Sequence, residues 1–120
     1  MKKHHALVAG LFLISALPLN AGERLRVGVS PAVAMAPATV RVRTTVEANP
    51  ENRAILIIAD SPEFYRSSEI PLDGERAPRT TTVEFRSLPS GMYTVTAVLI
   101  RVNGHTKVSR ALNIVGSGTE

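Results

Sequence analysis

Residues 88–99 read LPSGMYTVTAVL, a short proline, serine and glycine corner that runs into a tyrosine and a series of strand-forming residues. Pro89 and Gly91 favour a tight turn, and the valines and threonines that follow favour an extended strand. From Tyr93 onward an apolar side chain stands at every second position, so these side chains share one face. The sequence therefore predicts a half-buried strand that starts at a sharp corner.

The same period of two recurs in other parts of the chain, where valines alternate with arginines and threonines. Residues 55–58 are aliphatic without interruption, which is typical of a strand covered on both faces. Segments such as SPAVAMAP at 30–37 hold the prolines that end strands and are predicted as turns. We predict seven strands, at residues 24–30, 39–47, 54–60, 64–70, 80–87, 92–102 and 105–115.

The dipeptide Asn103-Gly104 separates the last two predicted strands. Asn-Gly favours a two-residue hairpin turn in which both residues have positive φ. Such a turn places Tyr93 opposite Ile114 and Val95 opposite Leu112, which gathers the apolar side chains of the hairpin on one face.

Short strands at this spacing argue for a two-sheet sandwich. The segment LPSGMYTV resembles the corner before the penultimate strand of immunoglobulin-like and fibronectin type III-like domains, where a tyrosine bonds back to the preceding loop, and Tyr93 matches that position. The resemblance implies an all-β, immunoglobulin-like, antiparallel sandwich of about seven strands, in which the first, second and fifth share a sheet. A bacterial immunoglobulin-like module is the best description, and such a fold does not transfer a function.

The first residues indicate export. A basic start at 1–5 is followed by the apolar run ALVAGLFLISALPL at 6–19 and the small pair Ala21-Gly22, the layout of a secretory signal peptide. We expect a signal peptide at 1–21, the sandwich domain at 22–116 and a flexible tail at 117–120, with periplasmic or extracellular localisation. The apolar run is shorter than a spanning helix needs, so we expect no transmembrane segment after cleavage.

Composition limits the possible functions. The chain contains no cysteine, which excludes a disulfide within it. Removing Lys2 and Lys3 with the signal peptide leaves 12 of the 14 basic residues against 10 acidic ones, a net charge of +2. This mild basicity does not favour nucleic acid as a partner.

The sequence offers little chemistry. The carboxylates between Asp60 and Glu75 have no nucleophile or histidine beside them, so we expect no catalytic residue, no cofactor and no enzymatic activity. SPA at 30–32 and NGH before the last strand resemble small periplasmic copper-resistance domains, with Met35, Met92 and His105 as sparse soft ligands. Copper handling is the less favoured alternative, and we predict no metal site.

Two surfaces are the candidate sites. The leading hypothesis is docking to another protein or domain, with a homo-oligomer as one form, and the alternative is binding of an anionic envelope glycan or lipid head group. Docking assumes that Leu56 and Ile58 face inward and that residues 60–80 do not cover the face. The predicted docking face comprises Ile55, Ile57, Val98, Ile100 and Val102, and the predicted anion face comprises Arg24, Arg26, Arg41, Arg43 and Arg86.

We predict that the exported protein begins near Gly22, because the cleavage signal follows the apolar run directly. Intact-mass measurement of protein recovered from the cell envelope or the medium checks this. A mass that retains residues 1–21 would contradict it.

Overall fold

Eight strands form two sheets in the computed structural model, which describes residues 24–116. The predicted signal peptide and the predicted tail lie outside the described residues. The strands are β1 (Leu25–Ser30), β2 (Val33–Met35), β3 (Ala38–Val46), β4 (Asn52–Ser61), β5 (Phe64–Pro71), β6 (Thr80–Leu88), β7 (Gly91–Arg101) and β8 (Gly104–Val115). A single turn of 3₁₀ helix, Gly74–Arg76, lies between β5 and β6, and no helix in the described part of the chain is long and apolar enough to cross a membrane.

The two sheets have the strand orders β1-β3-β6 and β2-β8-β7-β4-β5. The first, second and fifth predicted strands therefore share the smaller sheet, as the resemblance implied. The pairs are antiparallel with one exception, since β2 runs parallel to β8. Two facing sheets with this order form an immunoglobulin-like sandwich, which confirms the predicted fold class.

Strand β2 is the one strand that was not predicted. It lies within residues 30–37, where the sequence predicted only a turn, so that prediction is wrong for Val33–Met35. Its three residues pair with the end of β8, Val33 opposite Asn113 and Met35 opposite Val115. The prolines on either side of β2 keep it short, but they do not prevent a brief edge pairing. The sequence pattern missed it because the pairing partner lies about 80 residues away in the chain.

The core lies between the sheets and is built from alternating residues. In β3 the inward side chains, among them Val40 and Val42, are fully buried, whereas the intervening arginines are exposed. In β7 the inward set includes Val95 and Leu99, also fully buried. Each such aliphatic side chain stabilises the fold by about 1.5–3 kcal/mol relative to exposure.

The final hairpin turns one residue earlier than predicted. Val102 and Asn103 form the turn, and Gly104 opens β8 with φ of +140°. Tyr93 consequently lies opposite Leu112, not Ile114. The prediction of an Asn-Gly turn is wrong because Gly104 alone takes the positive φ, but the shift moves each pairing by two residues, so the apolar face is preserved.

Tyr93 fixes the corner that precedes β7. Its ring is 3% exposed, and its hydroxyl donates a hydrogen bond to the carbonyl of Pro89 at 2.7 Å. The ring of Phe64 meets it edge-on, with 6.3 Å between the centroids. Burial raises the pKa of the Tyr93 hydroxyl above its usual value, so this donor stays protonated to higher pH than an exposed tyrosine. This contact joins the loop after β6 to the start of β7.

We predict that Tyr93→Phe lowers the free energy of unfolding by about 1 kcal/mol, because it leaves the Pro89 carbonyl without its partner and preserves the packed ring. Denaturant unfolding measures this. Tyr65→Phe is the matched control, since Tyr65 is 61% exposed and should unfold like the native protein. Equal midpoints for both variants would contradict a stabilising role for the corner.

Candidate functional site

Strand β4 faces the opposite way from the orientation assumed for the docking face. Ile55 and Ile57 are 1% and 0% exposed and belong to the core, so the prediction that they line an outer surface is wrong. Leu56 and Ile58 point outward instead. The register shows why: Ile57 lies opposite Ala97 of β7, which faces inward, and Leu56 lies opposite Val98, which faces outward. Asp60 was the available signal, because it shares a face with Leu56 and Ile58.

The outer face of the five-stranded sheet nevertheless carries an apolar block. We call Leu56, Ile58, Val98 and Ile100 the docking patch; all four are partly exposed. Leu56 and Val98 are direct neighbours across the β4–β7 ladder, and the other two flank them by one row on either side. Val102, which was predicted to join this face, sits in the hairpin turn and is 54% exposed.

Four registered rows cross this face from β8 through β7 and β4 to β5. The rows are His105-Ile100-Ala54-Pro71, Lys107-Val98-Leu56-Glu69, Ser109-Thr96-Ile58-Ser67 and Ala111-Thr94-Asp60-Tyr65. Within these rows the formally charged side chains are Asp60, Glu69 and Lys107. Glu69 and Lys107 stand at opposite ends of one row, on either side of the docking patch. The centre of the face is therefore uncharged.

The segment 60–80 extends this face and does not cover it. Residues Phe64–Pro71 form β5, which pairs edge to edge with β4 in the plane of the sheet. Phe64 and Ile70 of β5 point toward the core and pack against it. After β5 the chain turns back at Leu72, whose amide donates to the carbonyl of Arg53. The docking patch thus remains open to solvent within the described chain.

A second apolar cluster lies at the far end of the same face and was not predicted. It consists of Val33, Met35, Met92 and Val115, which are 46–68% exposed. Met35 and Val115 are direct neighbours in the β2–β8 pair. Only the pairing of β2 creates this cluster, so the sequence pattern gave no signal for it.

The predicted anion residues share the outer face of the three-stranded sheet, which we call the arginine face: Arg24, Arg26, Arg41, Arg43 and Arg86. Glu84 lies among them and forms ion pairs with Arg86 at 3.0 Å and Arg41 at 3.4 Å. The hydrogen bond from Arg86, followed by the contact with Arg41, holds the pKa of Glu84 below its usual value. Arg26 and Arg43 have no carboxylate partner among the described residues.

A notch interrupts the arginine face at Gly28. This glycine lies directly opposite Arg43, and two adjoining hollows of about 520 and 260 Å³ meet there. Arg26 and Arg41 line one hollow each, and Arg43 lines both. The hydroxyl-bearing residues around the notch are Ser30, Thr45 and Thr82. The notch therefore combines guanidinium donors with hydroxyl groups.

The three sparse candidates for copper are not brought together. His105 pairs with Ile100 near the hairpin turn, whereas Met92 stands eight residues away along β7. That separation corresponds to about 26 Å in an extended strand. Met35 lies on β2, two strands from Met92. Across residues 24–116, no three His, Cys, Asp or Glu side chains are placed to hold a metal ion together.

The fold defines the class of the protein as an immunoglobulin-like β-sandwich. No family model matches the chain, and no curated protein matches it in sequence. Among solved structures it is similar to the sulfur carrier protein SoxY from Chlorobium limicola f thiosulfatophilum, at 15% identity and a TM-score of 0.60, over 86% of this chain and 96% of that one.

It is also similar to the superoxide reductase (neelaredoxin) from Ignicoccus hospitalis, at 14% identity and a TM-score of 0.58, over 77% of this chain and 80% of that one. At such low identity both likenesses concern the fold alone. Both likenesses extend over most of each chain.

We predict that Arg86→Gln raises the pKa of Glu84 toward 4.5, its ordinary value, because the largest lowering contact is lost. The pKa of Glu84 is lower in the folded state than in the unfolded state. Its ion pairs therefore stabilise the fold at pH values above the ordinary pKa, and this stabilisation is lost as the pH falls through the lowered pKa. NMR titration of the carboxyl carbons measures the shift. Arg76→Gln, remote from Glu84, should leave it unchanged, and an unchanged pKa in Arg86→Gln would contradict the assignment.

Proposed function

We propose that this chain is an exported, non-enzymatic docking module that binds protein through the outer face of its five-stranded sheet. The observation that carries the proposal is the docking patch: four neighbouring aliphatic side chains on a face whose charged residues are Lys107 and Glu69 on the flanking strands and Asp60 one row beyond Ile58. An exposed apolar area of this kind favours association, because its burial releases ordered water. The non-enzymatic and exported parts rest on the sequence-based expectations above.

The partner that this face fits best is a second copy of the chain. In the proposed dimer the five-stranded sheets of the two copies face each other, and a two-fold axis runs parallel to the strands between β7 and β4. Under this symmetry β8 of one copy lies over β5 of the other, and β7 lies over β4. In the row through Val98, this symmetry places Lys107 of one copy against Glu69 of the other, and Leu56 against Val98. Opposite charges meet twice in the dimer, once at each edge of the patch.

Side-chain size is also complementary under this symmetry. The large side chain of Ile100 faces the small Ala54 of the other copy, and Tyr65 faces Ala111. Alternation of large and small side chains lets two sheet faces interdigitate at the usual spacing of about 10 Å. The twist of each sheet turns the two strand sets by about 30° without separating these central rows.

Another axis is disfavoured by charge. A two-fold axis perpendicular to the strands through the Val98 row would set Lys107 against Lys107 and Glu69 against Glu69. Like charges face to face oppose association. Of these two axes, the charge pattern thus favours the one parallel to the strands.

The expected affinity follows from the area. Four strands at about 4.8 Å spacing and four rows along them cover about 400 Å² per copy. A total of about 800 Å² is smaller than the roughly 1,200–2,000 Å² of stable protein interfaces, so we expect a weak, reversible dimer.

We predict that the mature protein shows concentration-dependent dimerisation in sedimentation velocity, and that Lys107→Glu or Glu69→Lys abolishes it because each change creates two like-charge contacts. The double variant Lys107→Glu, Glu69→Lys should dimerise again, since it restores opposite charges. Matched controls are Arg76→Glu and Glu75→Lys, which make the same charge reversals on the 3₁₀ turn, outside the four rows of this face. Both controls should dimerise like the native protein.

Each other outcome overturns part of the proposal. A monomer at every concentration up to the millimolar range would exclude the second copy as the partner. Dimerisation that survives both single reversals would place the contact elsewhere. Circular dichroism and thermal melting of each variant verify that the fold is intact.

A further inference from the structure

Gly28 has no structural explanation within the fold. It lies in the interior of β1. Glycine weakens a strand there because it loses more backbone entropy on folding than other residues and has no side chain to pack. Its φ lies outside the positive range that favours glycine. A Cβ atom built at Gly28 would have no heavy atom within 4 Å. Neither backbone conformation nor packing therefore requires a glycine here, and the fold would accept a larger residue.

The missing side chain opens the arginine face to a ligand. Arg43 stands directly opposite Gly28, Arg26 lies two residues before it on the same strand, and Arg41 lies diagonally across the ladder. Three guanidinium groups can thus converge over bare backbone. Guanidinium donates paired N–H groups to oxyanions such as carboxylate and sulfate, and a glycine at the centre lets the anion approach closely.

The polar side chains around the notch narrow the class of ligand. Ser30, Thr45 and Thr82 provide hydroxyl groups that can both donate to and accept from sugar hydroxyls. A membrane-binding surface would place apolar side chains beside the cations so that they insert between lipids. The side chains at the notch are cationic or hydroxyl-bearing except for Val27 and Val29 of β1, and no large apolar side chain projects from it for insertion between lipids.

We propose that the Gly28 notch binds an acidic polysaccharide, with Arg26 and Arg43 holding a carboxylate or sulfate group of one sugar unit and the neighbouring hydroxyls contacting its ring. Arg41 lines the same notch and shares its positive charge between this group and Glu84. Arg24 and Arg86 extend the same face on either side and attract the adjoining charged units. This site lies on the opposite side of the sandwich from the docking patch, so it does not depend on the proposed dimer.

The test is Gly28→Val, which places a side chain where the two hollows meet and keeps every charge of the arginine face. Binding of the mature protein to polygalacturonate (carboxylate), dextran sulfate (sulfate), neutral dextran and phosphatidylglycerol vesicles is measured by calorimetry or co-sedimentation. We expect the native protein to bind one or both acidic polysaccharides and not neutral dextran. Gly28→Val and Arg43→Gln should each weaken this binding at least tenfold. Gly116→Val and Arg76→Gln are matched controls outside the notch and should bind like the native protein.

Thermal melting distinguishes a binding defect from misfolding. Because the added side chain meets open space in a strand, Gly28→Val should melt at the native temperature or higher. Equal binding by Gly28→Val and the native protein would overturn the notch and leave only diffuse charge attraction. Binding to vesicles but to neither acidic polysaccharide would overturn the polysaccharide as ligand. Absence of binding to all four probes at low salt would overturn the site.

Discussion

The apolar core between the two sheets is the interaction on which the rest of the structure depends. The 120 residues contain no cysteine, so no disulfide can replace it. Strand β7 contributes Val95 and Leu99 from one side, and β3 contributes Val40 and Val42 from the other, all with no exposed surface. Because successive side chains of a strand point to opposite faces, burying this set determines which residues remain outside. Both candidate binding surfaces are consequences of that alternation: the arginine face is the outer half of β1, β3 and β6, and the docking patch is the outer half of β4 and β7.

Alternation also explains which parts of the molecule could be predicted from the sequence. Strands with one polar face, such as β3 and β7, revealed their inward residues directly, and the corner at Tyr93 indicated the type of sandwich. Strand β4 did not, because its aliphatic run from Ile55 to Ile58 looks the same from both faces. Its orientation is set by pairing with β7, a contact between distant parts of the chain. Of the five residues predicted for the docking face, Val98 and Ile100 lie on the outer face, Val102 lies in the turn, and Ile55 and Ile57 are buried because β4 faces the other way.

The remaining differences have local causes that pattern alone does not contain. The hairpin register depends on which residue takes a positive φ, and Gly104 takes it without Asn103. Strand β2 exists because the end of β8 offers free backbone groups that its short segment can pair with. The Gly28 notch was missed for another reason. A residue without a side chain contributes nothing to an apolar or charge pattern, and only the register that places Gly28 opposite Arg43 reveals the opening.

The two proposed surfaces lie back to back, and this arrangement has a consequence for binding. In the proposed dimer the five-stranded sheets meet at the centre, so the two arginine faces point away from each other on the outer sides of a four-layer assembly. Two separate polysaccharide chains can therefore each occupy one face. A monomer would then coat a single chain, and a dimer would link two. Since a weak dimer forms only at high local concentration, a polysaccharide that gathers many copies along its length would itself promote dimerisation, and linking would follow from crowding on the polymer without any change in fold.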